Sequence, residues 1–203
     1  MAEKADQETP RPAPGGRKGA VKRGSEDPRV RVGVIVAAVL AVVLIGWLVL
    51  RGDDNSSSPE GSGGAEAASL ETLREKAASR GTPIYWAGPQ GDATLEYTES
   101  EGGDIVYVRY LTGGAEIGDP NPEYLTVGTY NFTNPVSALK RQGHSPGGEL
   151  ASAPGGATVY FNRDRPQSVY LAYPGVEVQI EVYDPDPERA LKLVTSGQIV
   201  PVS

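Results

Sequence analysis

The hydrophobic pattern of this chain changes character from region to region, and each change marks a boundary. Residues 32–50 form a run of nineteen without a charge, closed by Arg29 and Arg31 on one side and Arg51 on the other. Nineteen helical residues rise about 28 Å, close to the ~30 Å hydrocarbon core of a bilayer, so the run predicts a membrane-spanning helix. From residue 69 the period becomes that of an amphipathic helix. Leu70, Leu73 and Ala77 form its stripe, Ser69 is placed to cap it, Glu71 favours its first turn, and Gly81 stops it.

Beyond Gly81 the period shortens to two. Short strands are predicted at 83–87, 94–98, 104–111 and 124–130, the middle two forming a hairpin across Gly102 and Gly103. Asn134 followed by Pro135 predicts a capped short helix over 136–142, and a Gly/Pro/Ser-rich loop is expected at 143–156. Strands follow at 158–161, 168–173 and 176–183, the last two joined at Pro174-Gly175. In the last of these Val176, Val178, Ile180 and Val182 alternate with Glu177, Gln179 and Glu181, which predicts one buried and one wet face. Asp186-Pro187 starts a final helix over 188–196, and 198–202 reads as a closing edge strand.

Hairpin-connected strands with a few helices between them predict an α+β domain: a largely antiparallel sheet with about three short helices on one face. A weak internal echo, Ile84-Tyr-Trp against Val159-Tyr-Phe, is too short to establish duplication.

Charge orients the span. Residues 1–31 hold eight Lys/Arg against five acids, whereas 51–203 hold eleven against 21. The positive-inside rule places the N-terminus in the cytoplasm and the C-terminal domain outside, at the cell (plasma) membrane. A cleaved signal peptide has a shorter apolar core ending at a small-x-small site; the nearest such triplet, Ala65-Glu66-Ala67, lies far downstream. With no cysteine, neither a lipid-modified cysteine nor a disulfide is available to this chain. The expected organisation is a disordered cytoplasmic tail (1–31), one transmembrane helix (32–50), a flexible Gly/Ser/acidic linker (51–68) and an extracytoplasmic α+β domain (69–203).

The strings Ile84-Tyr-Trp-Ala-Gly-Pro89, Val106-Tyr-Val-Arg-Tyr-Leu111, Tyr124-Leu-Thr-Val-Gly-Thr-Tyr130 and Ile180-Glu-Val-Tyr-Asp-Pro185 resemble a group of uncharacterised single-pass membrane-anchored proteins of high-GC Gram-positive bacteria. The resemblance spans roughly 70–200. It implies a bacterial envelope setting and brings no activity, cofactor or catalytic residue with it.

Candidate chemistry is sparse. His144, the one histidine, sits in a Gly-rich loop without a nucleophile beside it. The acid–proline runs Asp119-Pro-Asn-Pro-Glu123 and Asp184-Pro-Asp-Pro-Glu188 lack the alternating ligands of a calcium loop and read as turns and caps. No metal or cofactor is expected, and the acidic domain argues against nucleic acid. All ten tyrosines lie beyond residue 84; Tyr85, Trp86, Tyr107, Arg109 and Tyr110 are the candidate ligand-binding residues, an aromatic platform with a cation. The reading is a binding or interaction module of the envelope whose partner is a protein or a glycan. Two alternatives stand beside it: an envelope hydrolase acting on glycan or peptide through paired carboxylates (Glu96 with Glu99, or Glu177 with Glu181), and a partner subunit of a membrane complex.

Overall fold

The computed structural model describes residues 64–203. The expected tail and membrane span lie outside the described residues, and within them no helix is long and apolar enough to cross a membrane. What is described is an α+β domain: ten strands, eight of them in one antiparallel sheet, with three α-helices.

The described residues open with β1 (Glu66–Ala68), inside the segment expected to be linker. Its backbone pairs with β3, a pairing that needs no side-chain pattern and so leaves no signal in the sequence. Helix α1 (Leu70–Arg80) begins where Ser69 Oγ accepts the Thr72 N–H at 3.0 Å and ends at Gly81 in the left-handed conformation. Then come β2 (Tyr85–Trp86), β3 (Thr94–Glu99), β4 (Ile105–Leu111) and β5 (Thr126–Asn131), followed by α2 (Pro135–Gln142). The second half holds β6 (Gly148–Ala153), β7 (Ala157–Asn162), β8 (Arg165–Ala172), β9 (Val178–Tyr183), α3 (Pro187–Thr195) and β10 (Val200–Pro201). The expected loop at 143–156 is thus half strand. Its small residues carry little β-propensity, and backbone pairing with β7 supplies the structure instead.

The sheet order is β1-β3-β4-β5-β9-β8-β7-β6, so β5 and β9, far apart in sequence, meet at the centre and β1 and β6 form the edges. β2 and β10 make a separate two-stranded ribbon. Register sorts the side chains. One face presents Tyr97, Val106, Val108, Tyr110, Val127, Val159, Val169, Leu171, Ile180 and Val182, covered by Leu73 of α1, by Ala190, Leu193 and Val194 of α3, and by the β2–β10 ribbon.

The opposite face was expected to be wet, with all helices on one side. The structure corrects both points. Ala138 and Leu139 of α2 are buried yet lie outside the cluster that α1 and α3 join; α2 packs over β7 and β8 on the second face. Gln179 and Glu181 are buried accordingly. Alternation of apolar and polar residues marks two faces but does not say whether a helix will cover the polar one.

Candidate functional site

The second face is where the buried polar side chains gather. β4 sends Tyr107 and Arg109 to it; β3 sends Glu96 and Thr98, β5 Tyr130, β8 Tyr170 and β9 Gln179 and Glu181, each set by two-residue alternation and by the cross-strand pairs Glu96↔Arg109, Tyr107↔Gly128, Gly128↔Glu181 and Tyr170↔Glu181.

Two locks result. In the first, Arg109 Nη1 donates to Glu96 Oε1 at 2.6 Å, with Glu96 0% and Arg109 6% exposed. Arg109 Nη2 donates to the carbonyls of Asp119 (2.9 Å) and Asn121 (2.8 Å), the Gly118 N–H donates to Glu96 Oε2 (2.6 Å), and the guanidinium sits 5.3 Å from the centre of the Tyr124 ring. The pair therefore pins the β4–β5 connection onto the sheet. A buried ion pair is stable only when its remaining lone pairs and protons find partners, and here backbone groups of that connection provide them. The same loop closes on itself. Asp119 Oδ1 accepts the Asn121 N–H, Asn121 Oδ1 accepts the Glu123 N–H, and the Tyr124 hydroxyl donates to Asp119 Oδ2.

In the second lock the Tyr130 hydroxyl donates to Glu181 Oε2 at 2.6 Å and the Tyr170 hydroxyl to Oε1 at 3.0 Å. Glu181 is 3% exposed, and burial pushes its carboxyl pKa up while the hydroxyls of Tyr130, Ser168 and Tyr170 pull it back. Burial likewise pushes the hydroxyls of Tyr130 and Tyr170 up, reinforced by the adjacent Glu181 charge. The Tyr107 ring meets the Tyr130 ring edge-on at 6.0 Å, and its buried hydroxyl has no hydrogen-bond partner among the described residues, as is also true of Thr98 Oγ1 on the neighbouring strand. Gly128 makes room: a Cβ there would stand 2.9 Å from the Tyr130 ring, which folds back over it.

The five candidate ligand-binding residues are divided by this geometry. Tyr107 and Arg109 belong to the second face; Tyr85, Trp86 and Tyr110 belong to the first, in its core. The Tyr110 hydroxyl accepts the Ala87 N–H at 2.7 Å, Tyr85 stacks on Tyr173 at 5.7 Å, and Arg109 is committed to Glu96 and the loop. They do not form one platform: Arg109 and Tyr110 are adjacent positions of β4 and point to opposite sides of the sheet, while Tyr85 and Trp86 lie on the separate β2–β10 ribbon that covers the first face.

The candidate carboxylate pairs are also divided, Glu96 and Glu99 by face, Glu177 and Glu181 by burial and partner. Glu96 meets Arg109 on the second face, whereas Glu99, three residues on, pairs with Arg80 and accepts the Tyr97 hydroxyl on the first. Glu177 accepts the Asn134 N–H at 2.7 Å, while Glu181 holds the tyrosines. His144 is exposed. Among the described residues no three His, Asp or Glu side chains are placed to hold a metal ion. Sequence reading counted Glu181 among wet-face acids; nothing in an alternating strand distinguishes an acid under a helix from one in water.

Comparison with protein-family models, with curated proteins and with solved structures finds no match to this chain.

Proposed function

We propose that this is a single-pass protein of the bacterial cell membrane, N-terminus in the cytoplasm, whose 69–203 domain is an extracytoplasmic binding module. The uncharged run at 32–50 and the opposite charge balance of its flanks support the topology. Binding is favoured over hydrolysis by how the acids are used. Glu96, Glu99, Glu177 and Glu181 are each held by a different fixed partner; Glu96 and Glu99 lie on opposite faces of the sheet, and Glu177 is exposed where Glu181 is buried, unlike the paired carboxylates of a glycosidase.

Fusions at the C-terminus test the topology. Alkaline phosphatase should be active and green fluorescent protein dark; the reverse pattern overturns the orientation. Release of reducing ends from cell-wall glycan by the wild-type chain, abolished in Glu181→Gln, would replace the binding reading with the hydrolase one.

A further inference from the structure

The two edges of the eight-stranded sheet are unlike. β1 is three residues long, and Glu66 within it is held by Lys76. β6 is six residues long, contains no proline and no lysine, and among the described residues pairs only with β7. Natural sheets normally blunt a long edge with proline, lysine, a bulge or a short strand, because its free N–H and C=O groups are a template for another strand.

The ladder shows which groups are free. Arg163 N–H donates to the Gly147 carbonyl at 2.9 Å, and the register continues as Glu149↔Phe161, Ala151↔Val159 and Ala153↔Ala157. Antiparallel pairs alternate, so these odd positions bond inward to β7, and Leu150 and Ser152 turn their N–H and C=O groups outward. Leu150 is also one of two large hydrophobic side chains exposed in the domain, at 44%, resting against Gly143.

A second observation concerns charge. Acids outnumber bases in the domain, yet bases gather at the start of β6. Lys140 and Arg141 end α2, and the loop from Gln142 folds directly onto Gly148. The β7–β8 turn adds Arg163 and Arg165 through Arg163 N–H to Gly147 and Asn162 Nδ2 to the Pro146 carbonyl. Arg163 pairs with Glu149, and Asp164 lies near Gly147, but Lys140, Arg141 and Arg165 make no salt bridge among the described residues. Exposed His144 lies in the same loop.

We propose that β6 is a docking edge for an extended acidic peptide segment of a partner protein, which adds to the sheet as a ninth strand. Main-chain bonds to Leu150 and Ser152 supply the affinity, Leu150 takes an apolar side chain, and Lys140, Arg141 and Arg165 select acidic flanks. This rests on the binding-module reading and gives it a surface and a partner class. The bases at the start of the edge without a salt bridge among the described residues, Lys140, Arg141 and Arg165, favour an acidic strand as the occupant.

The test uses the full chain in zwitterionic nanodiscs and a fluorescent ten-residue peptide alternating valine and glutamate, read by anisotropy. Saturable binding is expected, weakened at least tenfold by Ser152→Pro and by the charge reversal Lys140→Glu/Arg141→Glu, and absent for the valine–lysine counterpart and for an N-methylated valine–glutamate peptide. Hydrogen exchange at Leu150 and Ser152 should slow on binding. Leu150→Asp serves where Ser152→Pro does not fold. The proposal is overturned by no saturable binding, by equal binding of the basic peptide, or by unchanged binding in both edge variants. A concentration-dependent dimer that protects Leu150 and Ser152 without peptide overturns it in favour of a second copy. Each of these outcomes leaves the topology reporters unaffected, so failure here and failure of the underlying reading are told apart.

Discussion

The two faces of the sheet are built on opposite principles. The first is covered by α1, α3 and the β2–β10 ribbon over Val, Ile, Leu and aromatic side chains, and its stability comes from apolar burial. The second is covered by α2 and the β4–β5 connection, and at its centre lie Glu96, Arg109, Gln179 and Glu181, all buried. Apolar packing tolerates substitutions of similar volume; a buried polar network tolerates removal of a partner poorly, because what remains is an uncompensated group in a low-dielectric setting. The second face therefore specifies where its covering loop sits, while the first supplies most of the driving force.

The sharpest test of that contrast is Arg109→Ala in the full chain. Leaving Glu96 buried without its cation should cost about 3–5 kcal/mol in denaturant unfolding and release the 112–124 connection to protease. Replacing both partners, Glu96→Leu with Arg109→Met, should recover most of the stability but not the protection of the loop, since the carbonyls of Asp119 and Asn121 lose their donor. On the first face Ile180→Ala should cost about 2–5 kcal/mol with the loop still protected. If Arg109→Ala costs less than Ile180→Ala and leaves the loop intact, the ion pair does not position it.

Next in size is Gly128→Ala. The added methyl would meet the Tyr130 ring at 2.9–3.2 Å and push it off Glu181, an overpacking cost of about 1–3 kcal/mol measured as a shift in the denaturant midpoint. Tyr130→Phe in the Gly128→Ala background separates ring displacement from loss of the hydroxyl; a double variant no worse than the single would place the cost in the lost Glu181 contact.

Much of the fold is legible from local signals. Ser69, Asp186 and the glycine after α1 act as read, and the hairpins at 94–111 and 168–183 follow from alternation and turn residues. β1 and β6 are not legible, being held by backbone pairing to neighbours rather than by their own side chains. Nor is the second face. Glu177, Gln179 and Glu181 alternate as solvent-facing residues do, and tertiary packing on that face, with α2 over β7 and β8 and the tyrosines of β5 and β8 over Glu181, leaves the last two buried. The separation of Tyr85, Trp86 and Tyr110 from Tyr107 and Arg109 was implicit in strand parity for Arg109 against Tyr110, but Tyr85 and Trp86 lie on a ribbon whose packing the sequence does not encode locally.

Glu181 gives the contrast a pH dependence. Its carboxyl pKa is raised from the ordinary 4.5 by burial, so between the unfolded and folded values the native state binds more protons than the unfolded one, and stability falls as pH rises through that window. Glu181→Gln does not titrate. The stability difference between variant and wild type should therefore move in the variant's favour as pH rises from about the unfolded value, and then level. Asp184, also raised by burial, is present in both proteins and cancels. A variant that loses ground instead would mean that the tyrosine hydroxyls stabilise the charged carboxylate more than burial opposes it.

The smallest expected difference lies between the helices that cover the two faces. Asp186 caps α3 by accepting the N–H groups of Glu188 (3.0 Å) and Arg189 (3.4 Å), whereas Asn134, read from sequence as the cap of α2, adopts the left-handed conformation (φ 56°) and makes no side-chain cap bond. Glu177 holds the Asn134 N–H from outside the helix instead. Asp186→Ala should thus cost about 1 kcal/mol, while Asn134→Gly, which keeps that N–H and is at ease at positive φ, should be neutral or slightly stabilising. Glu177→Gln should then weaken α2 by a few tenths of that amount without affecting α3, because it lowers the charge on the acceptor at the Asn134 N–H. Unfolding midpoints for the three variants order these effects. An Asn134→Gly cost equal to that of Asp186→Ala would show that both helices are capped alike, and the asymmetry between the faces would then rest on the buried ion pair and the tyrosine–Glu181 cluster alone.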